Sequence, residues 1–173
     1  MKAEKLLCVV ILTVLTAIFF THFRLEQEKV LIIYNEHKKS RTVIPVKNGE
    51  FTLTFLHSIE KTPVYELYNI NDDNTMTIKE VRFYSLGTGL PFSSEGGFKN
   101  ENGEFVVRES KTLDKIPLWV SPLPGHAVIV DGRRINFTDI AEREDLLTIS
   151  AGHRWIIKKS TEGSGKNERK TKF

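Results

Sequence analysis

The sequence predicts an all-β domain, a single sandwich or small barrel of about eight or nine mostly antiparallel strands, behind one N-terminal transmembrane helix. Three observations predict it. Apolar and polar residues alternate in most segments between Val30 and Lys158, the period of a half-buried strand. The segments are separated by turn chemistry such as Asn48-Gly49, Asn71-Asp72-Asp73-Asn74 and Asp131-Gly132. Eleven Phe and four Tyr stand against two Met, a bias toward strands. At 173 residues and 40% apolar content, the chain suffices for one ordinary domain plus an anchor.

The N-terminus divides from the rest at once. Residues 1–5 carry Lys2 and Lys5, and an apolar run follows from Leu6 to Phe20, reaching Phe23 if Thr21 and His22 are tolerated. That is near the lower limit of a spanning helix, roughly 17–25 residues. Residues 6–23 therefore read as an uncleaved signal anchor or transmembrane helix, in preference to the alternative of a cleaved signal peptide. The far end, Ile18-Phe19-Phe20-Thr21-His22-Phe23, lacks the small residues of a cleavage site, and Cys8 lies too early to carry a lipid. The expected location is the cell membrane, crossed once, with the domain on the extracytoplasmic side. Residues 24–29 read as a linker, 30–158 as the β-domain and 159–173 as a disordered basic tail.

The net charge is +3. Lys158, Lys159, Lys166, Arg169, Lys170 and Lys172 against Glu162 and Glu168 place +4 at the C-terminal end, so the remainder is about −1 and offers no basic face for nucleic acid. The single cysteine, Cys8, lies in the apolar run, which excludes disulfides and Cys-ligated zinc from the domain.

Taken in order, Val30 to Tyr34 is a short buried strand, Glu36 to Ser40 a polar turn and Thr42 to Val46 a second strand. Asn48-Gly49 is the favoured type I′ dipeptide. Phe51, Leu53 and Phe55 alternate with Thr52 and Thr54, and His57 continues their face. After Ile59-Glu60-Lys61-Thr62, Pro63 opens a strand in which Val64, Glu66, Tyr68 and Ile70 share a face. A third strand runs from about Thr75 to Tyr84, its alternation slipping at Val81, Arg82 and Phe83 as at a bulge. Ser93 to Glu104 reads as a surface loop, long enough for a lid. Phe105 to Arg108 is a strand, and the Pro117, Pro122 and Pro124 region an irregular apolar arm. His126 to Phe137 is a hairpin turning at Asp131-Gly132, with His126, Val128, Ile135 and Phe137 on one face. Asp139 and Glu142 resemble a capping box on one helical turn. Leu146 to Lys158 closes the domain as a strand.

Two consecutive hairpins across Phe51 to Tyr84 would bring His57-Ser58 and Gly87-Thr88-Gly89-Leu90-Pro91 to the same end. With Ser58 opposite Pro63, His57 would face Val64 and have Glu66 as its diagonal neighbour, roughly 7–8 Å away. His57, Ser58, Glu66, Gly87, Thr88, Gly89, Leu90 and Pro91 are thus the candidate ligand or partner contact. Arg154 and Arg82 are candidate partners for a carboxylate. The glycine loop could present N–H groups to an anion, or simply make a tight turn. No residue is assigned a catalytic role and no cofactor is implied. His57, His126 and His153 fall on apolar faces, but their spacing carries no zinc signature. Adjacent strand residues point to opposite faces, so His57 and Ser58 do not form a nucleophile pair.

The segments HSIEKTPVYE and GTGLP resemble the bacterial family called domain of unknown function eighteen-fifty, over most of Val30 to Lys158, with Ile59 in place of the usual Val and Thr88 in place of Ala. The resemblance implies a setting beside TAXI-type TRAP transporters, importers of organic anions that work with a solute-binding protein. It implies no catalytic residues. Three readings follow. The first is a membrane-anchored extracytoplasmic accessory module whose partners are a TRAP membrane subunit, its solute-binding protein or a small organic anion. The second is a metal-assisted hydrolase using the inward-facing histidines, and the third a purely structural β-domain.

Overall fold

A computed structural model describes residues 2–85 and 97–159. Gly87, Thr88, Gly89, Leu90 and Pro91, residues 93–96 of the expected lid and the tail from Ser160 onward lie outside the described residues. The chain is mostly antiparallel β-sheet with one N-terminal helix. It separates into two units, one of residues 1–27 and 155–173 and one of residues 28–154.

The helix α1 covers Lys2–His22. Its described apolar side chains from Leu6 to Phe19 are exposed on every side. Among the described residues no helix is long and apolar enough to cross a membrane. The uninterrupted run of fifteen residues from Leu6 to Phe20 rises only about 22 Å, against a hydrocarbon core of about 30 Å.

Twelve strands follow among the described residues, more than the eight or nine expected. They are β1 (Phe23–Asn35), β2 (Ser40–Pro45), β3 (Glu50–Leu56), β4 (Pro63–Ile70), β5 (Met76–Phe83), β6 (Phe98–Glu101), β7 (Glu104–Arg108), β8 (Thr112–Leu113), β9 (Lys115–Trp119), β10 (Ala127–Val130), β11 (Arg133–Asn136) and β12 (Leu146–Lys159). One sheet has the order β2-β1-β12-β9, the other β11-β10-β3-β4-β5-β7-β6, with β8 paired to β5.

Their inner faces share one core. Leu31, Ile33, Leu147 and Ile149 from the first sheet meet Phe51, Leu53, Tyr68, Ile70 and Val128 from the second. Each fully buried aliphatic or Phe side chain contributes about 1.5–3 kcal/mol by leaving water. Val64, Val81, Phe83 and Val107 form a smaller cluster.

Local chemistry accounts for the hairpins. Asp131 and Gly132 take φ of 49° and 77°, the left-handed pair a type I′ turn needs. Asn102 and Gly103 do the same at 56° and 90°. The expected loop from Ser93 to Glu104 therefore contains the β6–β7 hairpin. Its Asn-Gly signal stood in the sequence, but the polar composition around it masked the short strands. At Asn48-Gly49 only Gly49 is left-handed, at 70°, so that turn is not type I′.

Other expectations change for non-local reasons. Residues 24–29 are strand rather than linker, because β1 lies beside β12. The Pro117 region is an edge strand rather than an arm; Pro117 faces Thr148 on β12, and an edge tolerates its missing N–H. The bulge falls at Lys79, between Glu80 opposite Leu67 and Ile78 opposite Tyr68, not at Val81 to Phe83. Phe137–Asp139 is a 3-10 turn with no side-chain cap. In place of the capping box, Asp145 accepts the Glu142 N–H at 3.0 Å.

Candidate functional site

The strands β3, β4 and β5 are consecutive antiparallel neighbours, as expected. Their register is not as expected. Leu56 stands opposite Pro63 and Phe55 opposite Val64, a displacement of two residues. The cause is the connection itself. His57 donates its N–H to the Thr62 carbonyl at 2.9 Å and accepts the Lys61 N–H on its own carbonyl, closing a tight loop. Lys61 takes a left-handed φ of 54° within it.

This displacement separates the proposed cluster. Glu66 faces Leu53 directly, four residues back from His57, or about 13 Å along the strand. The His57 ring is occupied locally, its Nδ1 accepting the Glu60 N–H at 3.2 Å. Ser58 is exposed at the turn. Glu60 accepts the Ser85 hydroxyl at 2.7 Å, tying the turn to the end of β5. Arg154 is ion-paired with Glu28 at 2.7 Å, and Arg82 with Glu80 and Glu104. His153 holds Asn74 through Nδ1 at 2.7 Å. The three histidines are thus engaged separately, and among the described residues no group of three or more His, Cys, Asp or Glu could hold a metal.

A different cluster does form, around Glu66. On β4, Val64, Tyr68 and Ile70 are buried on one face, and Glu66 is the acidic member of that stripe. Leu53, Phe55, Leu56, Glu66 and Tyr68 face Ile116, Pro117 and Leu118 of β9 across a cavity of about 390 Å³. Ser121 and His126 complete its lining. Ligand pockets of small molecules begin at about 300 Å³ and combine apolar walls with a few polar groups, as here.

Tyr68 donates its hydroxyl to Glu66 Oε2 at 2.9 Å. Its ring stacks on Phe51, centroids 5.0 Å apart and planes 6° from parallel. Burial among apolar walls raises the Glu66 carboxyl above its ordinary value, and the Tyr68 hydrogen bond partly opposes the rise. Burial first, then the Glu66 charge, pushes the Tyr68 hydroxyl upward as well, so it stays a donor.

His126 is fixed from two sides. Its ring meets Phe137 edge-on at 4.8 Å. Its Nδ1 accepts the Ser121 N–H at 3.0 Å. A backbone N–H can only donate, so the proton of the neutral ring sits on Nε2. Burial holds the imidazole below its usual value, which keeps it neutral at pH 7. His126 also lines a neighbouring cavity of about 350 Å³ with Asn136, Thr138 and Arg143.

The cavity therefore offers a carboxyl acceptor, a neutral imidazole donor and apolar walls. The Ser121 hydroxyl accepts the Leu123 N–H at 3.0 Å, while the backbone of Ser121 occupies the His126 acceptor. That geometry leaves His126 Nδ1 without the role of base to a serine. Sequence reasoning named Glu66, and named His126 only as a metal ligand. It missed Tyr68 and Ser121. The signal for Tyr68 was its place two residues from Glu66 on one strand face.

The family model described as Domain of unknown function (DUF1850) matches residues 51–137. The chain belongs to this family. Every residue lining the larger cavity lies within the DUF1850 span, whereas β1, β2 and β12 lie outside it. No curated protein and no solved structure matches the chain.

Proposed function

We propose that this DUF1850 chain is a membrane-anchored, extracytoplasmic binding module, with the Glu66–Tyr68–His126 cavity as its ligand seat. The observation that carries the reading is a hydrogen-bonded carboxyl and a neutral imidazole in one apolar-walled cavity. Ionisable groups shifted by burial inside a cleft are candidates for a functional site.

The helix α1 is the proposed anchor. It is apolar all round and exposed, and helices of that type are stable when surrounded by hydrocarbon. The resemblance of HSIEKTPVYE supports a TRAP-type importer or its solute-binding protein as the partner. The cavity itself favours a neutral or cationic occupant over an organic anion, because an ionised Glu66 repels a second carboxylate.

The test uses the purified full chain in detergent and four probes of one alkyl length: an amine, an amide, an alcohol and a carboxylate. The amine and amide raise the unfolding temperature at pH 7, and Glu66→Gln removes the amine's effect. A carboxylate that stabilises as well as the amine refutes the proposed chemistry. Recovery of transporter subunits with the chain from gently solubilised membranes tests the partner, and their repeated absence counts against it.

A further inference from the structure

The strand segments that follow α1 and close the chain form a second feature that the cavity does not use. Residues Phe23–Gln27 of β1 and Trp155–Lys159 of β12 belong to the same unit as α1. β1 and β12 are neighbours in their sheet. Lys158 pairs with Glu26 at 2.7 Å, and Arg154 with Glu28 at 2.7 Å. These four charged residues are all even-numbered, so strand alternation places them on one face. The odd-numbered residues Phe23, Leu25, Trp155 and Ile157 take the other.

Among the described residues that second face is uncovered. Leu25 is 60% exposed, Trp155 62%, Ile157 62% and Phe23 36%. Large apolar side chains scattered singly need no explanation, but four on one side of a two-stranded ribbon mark an interaction surface.

We infer that this ribbon lies with its apolar face in the interfacial zone of a phospholipid bilayer. Three features select lipid. The first is continuity. β1 begins at Phe23, directly after α1 ends at His22, and the Phe19 and Phe23 rings stack 4.9 Å apart. The exposed apolar surface of the helix thus runs into that of the ribbon. The second is composition. The ribbon strands combine Trp155 with Arg24, Lys158 and Lys159, a residue mixture that settles at headgroup level, rings and aliphatic stems in the boundary and charges in water. The third is charge. The chain beyond Lys159 adds Lys166, Arg169, Lys170 and Lys172 against Glu162 and Glu168, which suits anionic headgroups. The ribbon would also add apolar surface where the short apolar run of α1 falls below the hydrocarbon thickness.

The inference rests on the proposed anchoring by α1, and the test keeps the two apart. The chain has two tryptophans, Trp119 on β9 and Trp155 on the ribbon. Full-length Trp119→Phe and Trp155→Phe proteins are reconstituted into vesicles of phosphatidylcholine and phosphatidylglycerol. Flotation reports anchoring. Quenching by lipids spin-labelled near the glycerol, and by aqueous iodide, reports the position of the remaining ring.

The expected result is severalfold stronger lipid quenching of Trp155 than of Trp119, with Trp155 shielded from iodide. Leu25→Glu with Ile157→Glu, both exposed positions, abolishes that lipid quenching while flotation persists. A chain that floats with Trp155 fully open to iodide overturns the inference and leaves the anchor standing. Shielding from iodide without lipid quenching overturns it in favour of a protein contact such as a second copy. Failure to float overturns both.

Discussion

Replacing Tyr68 with Phe isolates the one polar contact on which the proposed ligand seat depends. The substitution removes a single oxygen. The ring is 3% exposed and stacked on Phe51, so its packing is retained and the change reads almost purely as loss of the 2.9 Å hydrogen bond to Glu66. A hydrogen bond to a charged group contributes about 1.5–3 kcal/mol, and one between neutral groups about 0.5–1.5 kcal/mol. The loss must therefore depend on pH. With Glu66 ionised, at pH 8, Tyr68→Phe is expected to cost about 1.5–3 kcal/mol; with Glu66 protonated, at pH 4, about 0.5–1.5 kcal/mol. Urea unfolding of both proteins at the two pH values measures this. Because the bond opposes the rise of the Glu66 carboxyl, its removal also moves that carboxyl further up, which a side-chain carbonyl NMR titration detects. Equal losses at both pH values, with no change in the titration, would refute the coupling of Tyr68 to an ionisable Glu66.

Three further outcomes follow from the same geometry. Glu66 has its folded value raised by burial, so its stabilising protonated form is fully present below the ordinary carboxylate range and is lost as pH rises through the folded value; Glu66→Gln should flatten that decline and unfold later than the parent at pH 8, with little difference at pH 4. Asp145 is the opposite case: the Asn35 amide foremost, then the Glu142 N–H, holds it at about 2, so stability present above the ordinary value near 3.8 is lost as pH falls toward 2. Thermal unfolding between pH 5 and 2 should show a slope that is shallower in Asp145→Asn, the lowered Asp72 and Asp73 carboxyls retaining their share. Phe137 is 0% exposed and holds the His126 ring edge-on; Phe137→Ala should cost about 3–5 kcal/mol in denaturant unfolding, with Phe137→Leu markedly milder.

The segments between turns were legible because alternation and turn chemistry are local. Phe51 and Leu53, Val64 and Tyr68, Asp131-Gly132 and the Asn71 to Asn74 turn each carry their conformation in neighbours a few residues away. Glu66 was legible as an acid on a buried face for the same reason. Family membership and the β-rich character needed nothing more, although the matched span, residues 51–137, is shorter than the expected Val30 to Lys158.

Closure was another matter. A two-residue displacement at the His57–Thr62 turn leaves every side chain on its expected face, so the pattern could not expose it, yet it moved Glu66 away from His57. Pairing β9 against β12 placed Pro117 on an edge and Ile116 and Leu118 over β4, which turned Glu66, Tyr68 and His126 into one cavity. Asn35 and Asp145 meet from 110 positions apart. Period and turn type are properties of short stretches and survive in the sequence. Register, edge position and the company a buried carboxyl keeps are decided by which distant strands pack together, and only the tertiary structure holds that information.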